Sequence, residues 1–186
     1  HIENLMDQMD SALKLTPIED GQLAVVAVVS GAGMARVMAE FGVAALIKGG
    51  QTMNPSTEQI LAAVEALPTD RVIVLPHNKN IILAAKQAAE LSAKQVRVVP
   101  TRSMPQGIAA LINHNPDGRL AETAEAMTEA MQEVRSGELT RASRSVLIEG
   151  IQVREGQVIA LLDDQLVCSC DDLLEATLKL LEAAQA

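Results

Sequence analysis

Leu23-Ala24-Val25-Val26-Ala27-Val28-Val29, followed at once by Ser30-Gly31-Ala32-Gly33, decides the reading of this chain. An unbroken apolar run has no polar face to give to water. It therefore predicts a strand buried on both sides, as inside a parallel sheet. Ser30-Gly31-Ala32-Gly33 breaks the run, and Met34 to Glu40 then carries a short helical pattern that Gly42 ends. Strand, tight turn and helix make one βα unit.

The unit repeats. Val43 to Ile47 reads as a second strand, followed by the loop Gly49-Gly50-Gln51-Thr52-Met53-Asn54-Pro55-Ser56. Asn54 or Ser56 can cap the next helix, whose apolar stripe is Ile60, Leu61, Val64 and Leu67. Arg71 to Leu75 is the third strand, and Asn78 or Asn80 caps a helix running to about Ser92. Val96 to Val99 is the fourth strand, leading through Pro100-Thr101-Arg102-Ser103 to a helix from Pro105 to about Ile112. Short links and right-handed crossovers predict an α/β fold over residues 22–115, a parallel sheet of about four strands with helices on both faces.

The style changes after the turn-rich stretch Asn113 to Gly118. Residues 116–186 predict an α+β segment of a helix, short antiparallel strands and a C-terminal helix. Leu120, Ala124, Met127, Met131 and Val134 form one helical stripe, closed by Gly137. Thr140 to Ile148 alternates like an antiparallel strand, and Glu149-Gly150, Glu155-Gly156 and Asp163-Asp164 mark turns. Asp171 or Asp172 starts a last helix with Leu173, Leu174, Leu178 and Leu181 on one face. Residues 1–21 are polar and irregular and read as a linker arm.

Composition narrows the function classes. The apolar fraction is 48%, and Phe41 is the only aromatic residue, so the core must be aliphatic and no rings are present to stack on bases. The net charge is −9 with no basic stripe, which argues against nucleic acid as a partner. No apolar run approaches the roughly 20 residues of a membrane span, so no membrane insertion is expected. Cys168 and Cys170 stand two apart, where a disulfide would be strained, and this points to a reducing cytoplasm. Alternate strand positions put both thiols on one face, and burial explains them.

The loops that follow the four strands carry Ser30, then Thr52 and Asn54, then His77, Asn78 and Lys79, then Arg102. In a parallel sheet these loops share one edge, where helix N-termini present N–H donors. Lys79 and Arg102 add charge, and the loops hold no Asp or Glu. Such a crest predicts an anion site for phosphate or carboxylate built from these residues. The competing reading is that Ser, Thr and Asn are ordinary helix caps. His77 fits a general acid, a base or a metal ligand, and equally a hydrogen-bonding residue. The glycines at 31 and 33 start a dinucleotide-type turn, but Arg36 stands where its third glycine belongs, and no phosphate loop occurs elsewhere. No metal site is expected: the histidines and cysteines form no zinc pattern, and Asp163-Asp164 and Asp171-Asp172 sit where turns and caps favour Asp.

Three strings are unusual enough to compare with a family. They are Gly49 to Glu58, Leu75-Pro76-His77-Asn78-Lys79-Asn80 with Ile81 to Ala85, and Pro105-Gln106-Gly107-Ile108-Ala109-Ala110-Leu111. Together they resemble the part of bacterial fatty acid kinase A subunits, also called dihydroxyacetone kinase-like, that follows the kinase domain. The resemblance implies a middle module of a kinase (a transferase of phospholipid metabolism). That module would link an all-helical ATP-binding domain to a fatty-acid-binding carrier protein, support dimerisation and aid acyl phosphate formation. It also implies that ATP and magnesium are held by the kinase domain, that no cofactor is bound here, and that the isolated chain is inactive. The family pattern often has Asn where this chain has His77. The rival reading is a stand-alone binding protein or enzyme for a small phosphorylated or carboxylated metabolite.

Overall fold

A computed structural model describes residues 15, 17–19, 21–50, 53–148 and 150–185. The linker arm expected over residues 1–21 falls mostly outside them. Contacts divide the chain into two units, residues 1–134 and 135–186.

In the first unit the apolar run becomes strand β1 (Ala24–Val29), with every residue buried. Strands β2 (Ala45–Lys48) and β3 (Arg71–Leu75) pair with it in parallel on either side, and β4 (Gln95–Val98) pairs with β3, giving the order β2-β1-β3-β4. Side chains alternate along β1, so each face buries its own set. Val25, Ala27 and Val29 pack with Ala35 and Met38 of α1 (Ala32–Glu40), Ala110 and Leu111 of α4 (Met104–Ile112), and Met127 and Met131 of α5 (Leu120–Gln132). Val26 and Val28 pack with Ile60 and Val64 of α2 (Thr57–Glu65) and Ala85 and Ala88 of α3 (Ile82–Leu91). The result is the expected three-layer arrangement. Helix α5, grouped by sequence style with the second part, supplies Met127 and Met131 to the first unit's core. Those methionines share the core cluster of β1, α1 and α4, and the contact units divide after this helix.

The second unit holds β5 (Gly137–Arg141), β8 (Val158–Leu162) and β9 (Gln165–Cys170) as an antiparallel sheet of order β5-β8-β9. A smaller ribbon joins β6 (Val146–Ile148) to β7 (Ile151–Val153). Helix α6 (Leu173–Gln185) lays Ala176 and Leu180 on Val158, Ala160, Leu162, Cys168 and Cys170. The single strand expected over Thr140 to Ile148 is divided. Ala142 leaves the ladder to bond Gln157 O at 2.9 Å and to accept from Gly156 N–H at 2.8 Å, which ends β5. Gly137 opens β5 instead of closing a helix, and a side chain there would stand 3.0 Å from Leu180 Cδ2.

The acidic pairs have local work. Asp163 and Asp164, with φ of 49° and 70°, form the tight turn between β8 and β9. Asp163 Oδ1 accepts from Ser136 N–H at 2.8 Å, Asp171 Oδ1 accepts from Gln157 Nε2 at 2.8 Å, and Asp172 Oδ2 accepts from Glu175 N–H at 3.0 Å to cap α6.

Candidate functional site: the crest of the parallel sheet

The order β2-β1-β3-β4 reverses direction between β1 and β3. The helix after β1 packs on one face of the sheet and the helix after β3 on the other. Ligands of open α/β sheets usually enter at such a point, beyond the carboxyl ends of the strands. Ser30, His77 and Asn78 all lie there. Among the described residues, those expected on the crest lie in the loops after the four strands and divide into an inner and an outer set.

His77 belongs to the inner set. It is 8% exposed and adopts φ 55°, which turns its ring back over the sheet. Nδ1 lies 2.8 Å from Val28 O at the end of β1. A carbonyl only accepts, so Nδ1 carries the proton and Nε2 is the bare nitrogen. His77 N–H donates to Thr101 Oγ1 at 3.0 Å, and Thr101 is fully buried. Nε2 is shielded from solvent without a partner, and it faces Gly107 of α4 so closely that a Cβ there would sit 1.9 Å away. Ring and backbone together thus let His77 link the end of β3 to β1, the β4 loop and α4. Burial disfavours the imidazolium and pushes the pKa down to about 4, only partly opposed by the Val28 carbonyl. His77 is a neutral plug in the crevice at the switch point. A catalytic proton shuttle would need access that this ring lacks.

Asn78 is buried beside it, and its Oδ1 accepts from Asn80 N–H at 2.9 Å, which shapes the turn into α3. The outer set is Ser30, Asn54, Lys79 and Arg102, all exposed. Thr52 lies outside the described residues. The loops after β1 and β2 meet closely: a side chain on Gly50 would stand 2.8 Å from Ser30 Cβ, and one on Gly49 would stand 2.6 Å from Val28 Cγ1.

The helix N-termini of the crest differ in what they have left to offer. Helix α2 is closed by a capping box, with Ser56 Oγ accepting from Gln59 N–H and Gln59 Oε1 accepting from Ser56 N–H. Helix α4 is closed by Ser103 Oγ on Gln106 N–H, and Gln106 Oε1 takes Arg102 N–H at 2.8 Å. Helix α1 has no side-chain cap. It opens with Gly31 at φ 80° and ψ 151°, a conformation essentially reserved for glycine, and open space surrounds the Cβ positions of Gly31 and Gly33. Helix α3 opens at Ile81, also without a side-chain cap, so the cap expected from Asn78 or Asn80 does not form. The parts of the crest with unfilled capacity are therefore Ser30-Gly31-Ala32-Gly33 and the start of α3. Thr101 and Gly107 lie in stretches that the sequence reading named, but their contacts with His77 were not foreseen. A glycine inside a helical stretch does signal a close packing neighbour, although it does not name the neighbour.

Among the described residues no three His, Cys, Asp or Glu side chains gather as a metal site. Nor is any helix among them long and apolar enough to cross a membrane.

Comparison with known proteins fits this fold to a family. Residues 24–186 match the profile for the C-terminal part of proteins like the fatty acid kinase A-subunit. An uncharacterised protein of Staphylococcus saprophyticus is 41% identical over 152 residues, which is 82% of this chain and 28% of that protein. An uncharacterised protein of Staphylococcus aureus strain USA300 is 34% identical over 186 residues, 97% of this chain and 34% of that protein. The chain thus spans about a third of the length of these relatives. It belongs to the fatty acid kinase A-subunit-like C-terminal family, whose description names the C-terminal part where the sequence resemblance had suggested a middle module.

Proposed function

We propose that this chain is a non-nucleotide-binding component of a fatty acid kinase-like assembly. It joins an ATP- and magnesium-binding domain to a fatty-acid-carrying protein partner, helps the assembly dimerise in the cytoplasm, and supports transfer of phosphate to the acyl carboxylate. The observation that carries this reading is the family match across both units, residues 24–186. A second feature supports a partner-binding role. Helix α6 leaves Leu174 66% exposed and Leu178 and Leu181 more than half exposed, an apolar stripe of the kind that other proteins cover.

In this reading the crest meets the acyl phosphate group. Ser30, Thr52, Asn54, Lys79 and Arg102 would approach the oxyanion, and the uncapped start of α1 would donate backbone N–H groups to it. His77 and Asn78 would hold the loops in place from within. The reaction's chemistry then resides in the ATP domain, with this chain positioning the acceptor. The test is a full-length relative with and without the region equivalent to residues 24–186, assayed with ATP, magnesium and loaded carrier. Removal should abolish acyl phosphate formation and leave ATP binding intact. Acyl phosphate made at the full rate without the region would end the proposal.

The open start of α1 at the switch point also suits a small free anion, as a stand-alone binding protein for a phosphorylated or carboxylated metabolite would require. Micromolar binding of such a metabolite by the isolated chain, with no partner present, would favour that reading instead.

A further inference from the structure

We propose that Cys168 and Cys170 form a two-thiolate site for a soft, two-coordinate metal ion, and that monovalent copper is the ion that fits. Both thiols are free, and both project from the same face of β9 into the core of the second unit, 8% and 4% exposed. Lys179 of α6 places Nζ 3.6 Å from Cys170 Sγ while it holds Glu175 Oε1 at 2.7 Å.

Geometry decides what such a pair can do. Residues two apart on a strand are separated by about 6.6 Å along the chain. A disulfide wants its Cβ atoms about 3.8 Å apart. Closing one would buckle β9 where Cys168 pairs with Ala160 and Cys170 with Val158. A bridging ion asks for less, because two metal–thiolate bonds of about 2.3 Å each, the length found with zinc, keep the sulfurs well apart. The ligand count then selects the ion. Among the described residues no third His, Cys, Asp or Glu completes a cluster, so a tetrahedral zinc site has only half its ligands. Soft thiolates suit monovalent copper, zinc and iron–sulfur clusters, and of these monovalent copper is the one that two thiolates can hold. Two thiolates and one monovalent cation leave one negative charge; the Lys179 ammonium stands beside Cys170 but is shared with Glu175, and burial pushes the Cys168 thiol up, so the ion has to displace its proton. Lys179 is 47% exposed at its side chain, so the site has an edge on solvent.

Binding breaks two S–H bonds, forms two S–Cu bonds and releases two protons to water. No electron moves, since copper arrives as Cu(I). Occupation would tie β9 to the base of α6 and couple the second unit to the copper supply of the cell.

The experiment is an anaerobic titration of the chain with Cu(I) against a chromophoric Cu(I) chelator, followed by X-ray absorption. One ion per chain, bound by two sulfurs, is expected. Cys168→Ser and Cys170→Ser should each abolish that binding, and Lys179→Gln should weaken it by about tenfold. Cys168→Ala and Cys170→Ala replace the serine variants if those fail to fold by circular dichroism. The N-terminal stretch contains His1, Met6 and Met9, so the double cysteine variant is the decisive control. Copper retained by that variant, no competition with the chelator, or three or more ligands in the absorption spectrum would each overturn the proposal.

Discussion

At the scale of single residues, His77 controls the crest by staying neutral. In the unfolded chain its imidazole takes a proton near 6.5, whereas in the folded chain burial delays protonation to about 4. Between those values the unfolded state binds more protons, so stability is full above about pH 6.5 and falls as pH drops toward 4. The loss from His77 should be roughly 3 kcal/mol, read as a fall in the urea midpoint across that window. His114 is also held below its usual range by burial and should add to the slope in the same direction. His77→Asn should flatten the slope and leave the His114 part. The packing of the ring gives a second expectation. Gly107→Ala drives a methyl to within 1.9 Å of Nε2, so it should cost about 3 kcal/mol in thermal or urea unfolding. Combining it with His77→Asn, a shorter side chain, should recover much of that loss, and additive costs would show that the two residues do not compete for one space. The sequence showed His77 on the crest between Pro76 and Asn78. It did not show which way the ring turns, because that rests on a positive φ and on a glycine thirty residues away.

At the scale of elements, the helix ends explain which parts of the sheet edge are closed. Local chemistry was partly legible there: Ser56, Ser103 and Asp172 cap as their residue types suggest, and the all-apolar β1 is buried on both faces, but α3 opens at Ile81 with no cap from Asn78 or Asn80. The break between β5 and β6 was not legible, because it depends on Ala142 pairing with the Gly156 turn fourteen residues on. The C-terminus of α2 is a further case. Lys94, which precedes β4, donates Nζ to Val64 O and Glu65 O, each at 3.1 Å, and to Leu67 O. One ammonium thus satisfies the last carbonyls of a helix whose final turn has no basic residue of its own, at the end where the dipole favours a cation. Lys94→Met keeps the stem and removes the donors. It should cost about 1–2 kcal/mol, visible as a lower urea midpoint with unchanged cooperativity. An unchanged midpoint would mean that water replaces the ammonium at no cost.

At the scale of the whole molecule, the repeat of strand and helix made the three-layer sheet legible, and the family match relates it to the C-terminal part of a kinase component. The candidate site was legible only as a location. Sequence brought Ser30, Thr52, Asn54, His77, Asn78, Lys79 and Arg102 to one edge, but tertiary packing turned His77 and Asn78 inward, and capping spent the donors of α2 and α4. What remains for an anion is the outer set and the bare starts of α1 and α3. An oxyanion held there would gain charge-assisted hydrogen bonds from Lys79 and Arg102 and oriented backbone donors from α1. The loop after β2 would supply neutral hydroxyl and amide groups from Thr52 and Asn54. Replacing both by Ala in a full-length kinase-like protein should lower acyl phosphate formation by about tenfold or more, the cost of one or two charge-assisted bonds to the reacting group. ATP binding and thermal stability should not change, because the cap of α2 rests on Ser56 and Gln59. A fully active double variant with an unchanged melting point would show that this edge is scaffold and that the acyl phosphate is recognised elsewhere in the assembly.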